Sequence, residues 1–217
     1  MSTNLKVSAA LVAAFAAVVA AFLILGQSDS GSSADGGVDG GVPVVREDSH
    51  RLGEPGTGDV TVVEFLDFEC EACASVYPFV EQLRAEYAGQ VTFVARYMPM
   101  PGHPNAENAA VAVEAAAQQG EFEGMYQRMY ETQEQWSHRE ESQAAVFRGF
   151  AADLGLDLDS YDEDVADPAT LERVLADRDD GLALGVEGTP TFFLNGEKLD
   201  VSSTDEFIER IDAALAG

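Results

Sequence analysis

The chain has 217 residues, enough for one well-packed domain with an appendage but few for two full-sized domains. Its hydrophobic content of 46% predicts a packed core, whereas 39 acidic against 12 basic residues give a formal charge of −27 that must lie mainly on the surface. Such a surface repels phosphate backbones and argues strongly against nucleic-acid binding.

The N-terminal part of the chain predicts a membrane anchor. Residues 7–25 are apolar and uncharged and are about as long as a bilayer-spanning helix. Because the run ends in Phe22-Leu23-Ile24-Leu25 rather than in a small-x-small cleavage site, we predict a retained transmembrane signal-anchor over residues 7–26. A cleaved signal peptide is the alternative.

Charge flanking this segment predicts its orientation. Lys6 precedes it and no basic residue follows closely, so the positive-inside rule places residues 1–6 in the cytoplasm and the rest of the chain outside it. We therefore expect a single-pass protein of the cell membrane. Residues 27–43 are rich in Gly, Ser and Asp and predict a flexible acidic linker to a folded domain over residues 44–217.

The folded domain begins with a strand, a helix and a second strand. Residues 60–67 are β-branched and apolar and predict a central strand. Residues 73–87 carry apolar side chains at helical spacing, and Gly89 ends that helix. With a further strand at 91–98, the pattern predicts a right-handed βαβ unit.

A long stretch without strand signals follows, and we predict a helical insertion over about residues 99–185. Asn105 is a candidate N-cap for the first of its helices, and Asp157 and Asp167-Pro168 interrupt the later ones. The predicted helices cover residues 105–119, 121–135, 139–154 and 169–184.

The C-terminal part predicts a hairpin and a helix. The dipeptide Asn195-Gly196 favours a type I′ turn between antiparallel strands at 191–194 and 198–201. A last helix is expected over residues 204–216. The predicted fold class is therefore α/β.

Cys70 and Cys73 are the only cysteines and are spaced as Cys-x-x-Cys. At a strand–helix junction, residues i and i+3 lie within disulfide range, and the helix N-terminus favours a thiolate on the first cysteine. Cys70 is therefore the predicted nucleophile and Cys73 the resolving thiol. A half zinc site and an inert clip are alternatives, but no second Cys-x-x-Cys is present and the three histidines are scattered.

The sequence resembles the DsbA-like branch of the thioredoxin superfamily. Residues 63–73, VEFLDFECEAC, and 188–196, GTPTFFLNG, carry the resemblance, and His103-Pro104-Asn105-Ala106 introduces the helical insertion where the family has it. The match covers about residues 55–215. It implies a thioredoxin fold with an all-helical insertion between its βαβ and ββα halves, and thiol:disulfide oxidoreductase activity with no cofactor.

The resemblance also implies roles for residues away from the cysteines. Thr189-Pro190 is expected to be a cis peptide that faces the active site, with Thr189 contacting an extended substrate chain. Glu64 is expected to be a buried acid that relays a proton to Cys73, with a raised pKa. An exposed position on an edge strand is the alternative for Glu64.

The residues between the cysteines depart from the family pattern. Strongly oxidising members carry a histidine there, whereas this chain has Glu71 and Ala72, the predicted redox-tuning positions. Together with Glu69, Glu71 is expected to disfavour the Cys70 thiolate and to lower the reduction potential, against the helix dipole. His103 and Asn105 are interpreted as loop and cap residues, and three aromatic side chains as core: Trp136, Tyr126 and Tyr130.

The sequence as a whole predicts a membrane-tethered oxidase that introduces disulfides into exported proteins. Such an enzyme needs a membrane redox partner that reoxidises the Cys70-Cys73 dithiol. Two alternatives remain: a reductase of the same fold, serving cytochrome c maturation or disulfide repair and favoured by Glu71, and a binding module with a static disulfide.

Overall fold

The structure, a computed structural model, describes residues 41–217. This part of the chain forms a mixed five-stranded sheet in the order β1-β3-β2-β4-β5. The strands are β1 (His50–Arg51), β2 (Val60–Leu66), β3 (Val91–Tyr97), β4 (Thr191–Leu194) and β5 (Glu197–Lys198). The helices are α1 (Glu71–Glu86), α2 (Ala106–Gln118), α3 (Phe122–Glu131), α4 (Gln133–Trp136), α5 (Ala144–Asp153), α6 (Leu158–Ala166), α7 (Pro168–Ala183) and α8 (Thr204–Ala216).

β2 is the central strand, as predicted. It pairs parallel with β3 and antiparallel with β4, and every residue of it except Thr61 is buried. Strands covered on both faces read as nearly continuous apolar runs, which explains the pattern at residues 60–67. The α1 helix connects β2 to β3, so the predicted βαβ unit is confirmed.

Alternate side chains of β2 pack on opposite faces of the sheet. Val62 and Leu66 lie in one core cluster with residues of α1 and α8, whereas Phe65 lies in a second cluster on the other face. The α7 helix covers that second face at Gly181, where an added Cβ would lie 3.0 Å from Phe65. The absence of a side chain at Gly181 therefore permits the close approach of α7 to the sheet.

The insertion between β3 and β4 is helical, as expected, and its Ala-rich helix α2 is the innermost. Ala109, Val113 and Ala115 are fully buried, and α2 contacts α3, α5, α6 and α7. Small side chains on α2 allow this close packing.

Three details of the insertion differ from the prediction. The helix expected over residues 121–135 is divided at Thr132 into α3 and α4. The helix expected from residue 139 begins only at Ala144, because the side chain of Asn105 binds the preceding loop: it donates to Arg139 O at 2.7 Å and accepts from Gln143 N at 2.8 Å. Asn105 thus lies at the N-cap position of α2 but makes no side-chain cap bond there. The α6 helix was not predicted; Asp157 caps it by accepting from Ser160 N.

The C-terminal hairpin matches the prediction in its turn. Asn195 and Gly196 both have positive φ, 51° and 85°, as a type I′ turn requires, and glycine adopts this conformation without steric cost. The second strand is shorter than expected, Glu197–Lys198. The last helix has the predicted bounds, and Ser203 caps it by accepting from Glu206 N.

The predicted signal-anchor at 7–26 and residues 27–40 of the predicted linker lie outside the described residues. Within residues 41–217, no helix is long and apolar enough to cross a membrane.

Candidate active site

The two cysteines lie where β2 leads into α1. Cys70 occupies the N-cap position of α1 and is half-buried, whereas Cys73 lies in the first turn and is only 1% exposed. No side chain caps this helix, so its first N–H groups are free to face the Cys70 sulfur. Both thiols are free in the structure.

The environment of Cys70 strongly favours its thiolate. Hydrogen bonding by the Cys73 thiol is the largest cause that lowers the pKa of Cys70, to about 5. The backbone N–H groups of Ala72 and Cys73 act in the same direction, whereas burial opposes the shift. Cys70 is therefore ionised at neutral pH and suited to act as nucleophile and as leaving group.

The environments of Cys73 and Glu64, in contrast, favour the protonated form of each side chain. Burial, then the neighbouring Cys70 and Glu64, raises the pKa of Cys73 far above its ordinary value. Glu64 is only 4% exposed, on the central strand, which excludes the edge-strand interpretation. Burial, followed by the charges of Cys70 and Glu81, raises the pKa of Glu64 to about 8. One oxygen of Glu64, Oε2, has no hydrogen-bond partner among the described residues.

The loop before β4 faces the cysteines. The Thr189-Pro190 peptide bond is cis, and the Cys70 sulfur lies 3.3 Å from the carbonyl oxygen of Thr189. The hydroxyl of Thr189 is buried and has no partner within the described part of the chain. The Thr189-Pro190 peptide thus lies next to the Cys70 sulfur, as expected.

The effect expected of Glu69 and Glu71 stays a prediction, since neither carboxylate is among the main causes of the lowered pKa of Cys70. The Glu69 carboxylate is fully buried and accepts backbone N–H bonds from Asn105 and His138 at 2.5 and 2.8 Å. The Glu71 carboxylate is 78% exposed and lies 3.1 Å from His138. Both negative charges are therefore compensated or solvated away from the sulfur.

Three further side chains at the site were not assigned to it from the sequence. Gln133 is buried and donates through Nε2 to Phe68 O at 2.7 Å and to Cys70 O at 2.9 Å, which fixes the loop that carries the nucleophile. Asp67 directly follows β2 and binds His103 at 2.6 Å. No spacing signal links Gln133 or His103 to the cysteines, because the helical insertion brings them there.

The site can carry out thiol:disulfide exchange with protein groups alone. It combines a nucleophilic thiolate, a buried resolving thiol and a buried carboxyl group that can exchange a proton near neutral pH. Within residues 41–217, no group of three or more His, Cys, Asp or Glu side chains is arranged to hold a metal ion.

Comparison with known proteins places these features in context. A family model described as thioredoxin matches residues 46–213. A thioredoxin-like oxidoreductase from Silicibacter pomeroyi has a similar structure, with a TM-score of 0.66 and 26% identity over 79% of this chain and 95% of that one. Alpha-DsbA1 from Wolbachia pipientis has a TM-score of 0.69, covering 79% and 93% of the two chains, at 17% identity that shows the fold alone.

Relatives found by sequence similarity are named as Na(+)/H(+) antiporters and not as oxidoreductases. The Na(+)/H(+) antiporter NhaA 3 of Salinispora tropica is 38% identical over 167 residues, which are 76% of this chain and 24% of that protein. The chain thus spans about a quarter of the length of this relative.

Proposed function

Since this chain belongs to the thioredoxin superfamily and has the fold of its DsbA-like members, we propose that it is an extracytoplasmic protein disulfide oxidase. The observation that carries the proposal is that the pKa of Cys70 is lowered whereas the pKa of Cys73 is raised. A low pKa for Cys70 means that the reduced enzyme is stabilised as a thiolate, which makes the Cys70-Cys73 disulfide a good oxidant.

The reaction proceeds by two exchanges. A substrate thiolate attacks the Cys70 sulfur of the oxidised enzyme, the Cys70–Cys73 bond breaks, and Cys73 leaves as a thiolate that takes a proton from Glu64. The second substrate thiol then gives up its proton to solvent, attacks the mixed disulfide as a thiolate and releases the Cys70 thiolate. The substrate loses two electrons and the enzyme gains them, and the low pKa of Cys70 makes it the better leaving group in the second step.

The carbonyl of Thr189 supports the expected mode of substrate binding. It lies 3.3 Å from the Cys70 sulfur, so a substrate cysteine attached there brings its own backbone next to residues 189–190. An extended substrate chain pairs with that backbone by adding a strand. The recognised substrates are therefore unfolded or extended exported proteins with free thiols.

A membrane setting is part of the proposal. The predicted anchor at 7–26 holds the domain at the membrane, where a membrane redox partner accepts two electrons from the dithiol and restores the disulfide. The antiporter name of the curated relatives fits a domain of this kind held at a membrane. Antiport itself is not proposed, because the alignment covers only 24% of that relative.

The Cys73→Ala variant tests the proposed function. In this variant the Cys70 thiolate still attacks a substrate disulfide, which forms a mixed disulfide and releases one substrate thiolate. Without Cys73 no neighbouring thiol can resolve that mixed disulfide, so substrates accumulate on Cys70. We expect disulfide-linked adducts with exported proteins on non-reducing gels from cells that express the full chain. They should disappear with reductant and in the matched Cys70→Ala/Cys73→Ala variant.

Two results would contradict the proposal. Absence of adducts in the Cys73→Ala cells would favour the binding module with a static disulfide. Adducts that form equally in the double variant would show that they do not involve Cys70.

A further inference from the structure

A second group of ionisable side chains lies beside the cysteines. His103 comes from the loop between β3 and α2, and its Nδ1 lies 2.6 Å from Oδ2 of Asp67. Asp67 is 2% exposed and also accepts N–H bonds from Glu69 and Met100, at 2.8 and 2.9 Å. The same residue accepts from Cys70 N through its carbonyl at 3.2 Å. Asp67 thus holds both His103 and the backbone of the loop that leads to Cys70.

The charged neighbours of His103 come from three directions. Asp67, directly after β2, contacts it, and the charges of Glu69 and Cys70 act on it from the loop before α1. From the loop before α5, the His138 ring lies 6.0 Å away, edge to face, and His138 in turn pairs with Glu71 of α1. Of these two histidines, His103 is the one held by a buried carboxylate in the loop that leads to Cys70.

We propose that protonated His103, held by Asp67, stabilises the Cys70 thiolate and so makes the Cys70-Cys73 disulfide more oxidising. His103 acts on the Cys70 thiolate through its charge and takes no part in making or breaking bonds. In this role it supplies, from a distant loop, the cation that the residues between the cysteines lack.

Electrostatics favour the charged form of this imidazole. Burial alone would lower the pKa of His103, but the hydrogen bond and the charge of Asp67, with Cys70 and Glu69 adding to them, raise it above its ordinary value. At only 23% side-chain exposure, the charge is screened less by water than that of a surface residue. The thiolate and the imidazolium therefore stabilise each other.

The consequence appears in the exchange with glutathione. Two glutathione molecules lose two electrons and form one glutathione disulfide; the enzyme disulfide breaks to give the Cys70 thiolate and the Cys73 thiol, with one proton released. Any group that stabilises the thiolate shifts this equilibrium towards the reduced enzyme. The inference rests on the proposed redox activity of the Cys70-Cys73 pair.

The His103→Gln variant of the full chain tests the inference. Glutamine can still donate to Asp67 but carries no charge. We expect the pKa of Cys70, followed by thiolate absorbance, to rise by about 0.5 to 1 unit. The equilibrium constant for reduction by glutathione should fall by about threefold to tenfold, since one pKa unit corresponds to a tenfold change.

Two further variants make the result specific. His50→Gln removes a histidine that also lies 2.6 Å from a carboxylate, that of Glu114, but packs against Tyr97 and Phe122 away from the cysteines; it should leave both quantities unchanged. His103→Arg restores a cation that can bind Asp67 and should recover most of the shift.

The inference is overturned if His103→Gln has the pKa of Cys70 and the glutathione equilibrium of the parent, or if His50→Gln changes them equally. These outcomes differ from failure of the proposed function, in which the parent chain itself would not equilibrate with glutathione.

Discussion

Replacing Arg96 by methionine is expected to reduce the free energy of unfolding by about 3–5 kcal/mol, the range for removing one partner of a buried ion pair. The Arg96 side chain is fully buried. Its Nε lies 2.6 Å from Asp177, its Nη2 lies 2.6 Å from Asp180, and its Nη1 donates to Val44 O at 2.7 Å. Methionine fills a similar volume but leaves two carboxylates on α7 and the Val44 carbonyl without this donor.

The matched control is Arg148→Met. Arg148 also forms a two-pronged pair with a carboxylate, that of Asp162, but both side chains are nearly half exposed. Exposed pairs contribute little, so this variant should unfold at nearly the urea concentration of the parent. If urea denaturation gives the two variants the same midpoint, the buried network around Arg96 does not stabilise the domain as described.

Replacing Glu64 by glutamine is expected to change both the pH dependence of stability and the rate of exchange. The unfolded chain loses the Glu64 proton near the ordinary glutamate pKa of 4.5, whereas the folded chain retains it up to a pKa of about 8. Between these values unfolding releases a proton, so Glu64 makes the fold less stable as pH rises, by about 1.4 kcal/mol per pH unit. Glutamine removes this contribution.

The comparison must be made between parent and variant in the reduced state. The Cys70 thiolate acts in the opposite direction, because its pKa falls from 9.0 to about 5 on folding and stability therefore rises with pH between those values. That contribution is common to both proteins. The difference in free energy of unfolding, measured by urea denaturation from pH 5 to pH 8, should favour Glu64→Gln increasingly with pH.

Glu64→Gln should also slow the exchange of the Cys70-Cys73 pair with a dithiol substrate at neutral pH by about a hundredfold, since it removes the proton donor and acceptor for Cys73. Glu81→Gln is the control: Glu81 adds to the raised pKa of Glu64 but lies on the outer part of α1 paired with Arg84. A Glu64→Gln protein that exchanges thiols as fast as the parent would contradict the proton relay.

Local sequence signals were sufficient for much of the fold. The apolar run at β2, the dipeptide Asn195-Gly196 and the periodic helix 204–216 each act over a few residues, and the structure has the corresponding elements nearly at the predicted bounds. The loop before α5 was misjudged because its conformation depends on Asn105 and on Glu69, which lie far away in sequence.

The candidate site likewise contains residues that local motifs predict and residues that only the fold brings there. Cys70, Cys73, Glu64 and Thr189 could be named from motifs, and the structure brings them together. The charge balance at the Cys70 sulfur could not be predicted, because it depends on where each carboxylate lies after folding. Glu69 is buried against backbone N–H groups, and His103 reaches the site only through the fold. The electrostatics of the site therefore depend on contacts between residues that lie far apart in sequence.

The most direct test of the account is the reduction potential of the Cys70-Cys73 pair, measured by equilibrating the full chain with glutathione redox buffers. Because the Cys70 thiolate is stabilised, we predict a value closer to the roughly −120 mV of DsbA than to the roughly −270 mV of thioredoxin. A value near −270 mV, on the same scale, would contradict the oxidase assignment and favour the reductase.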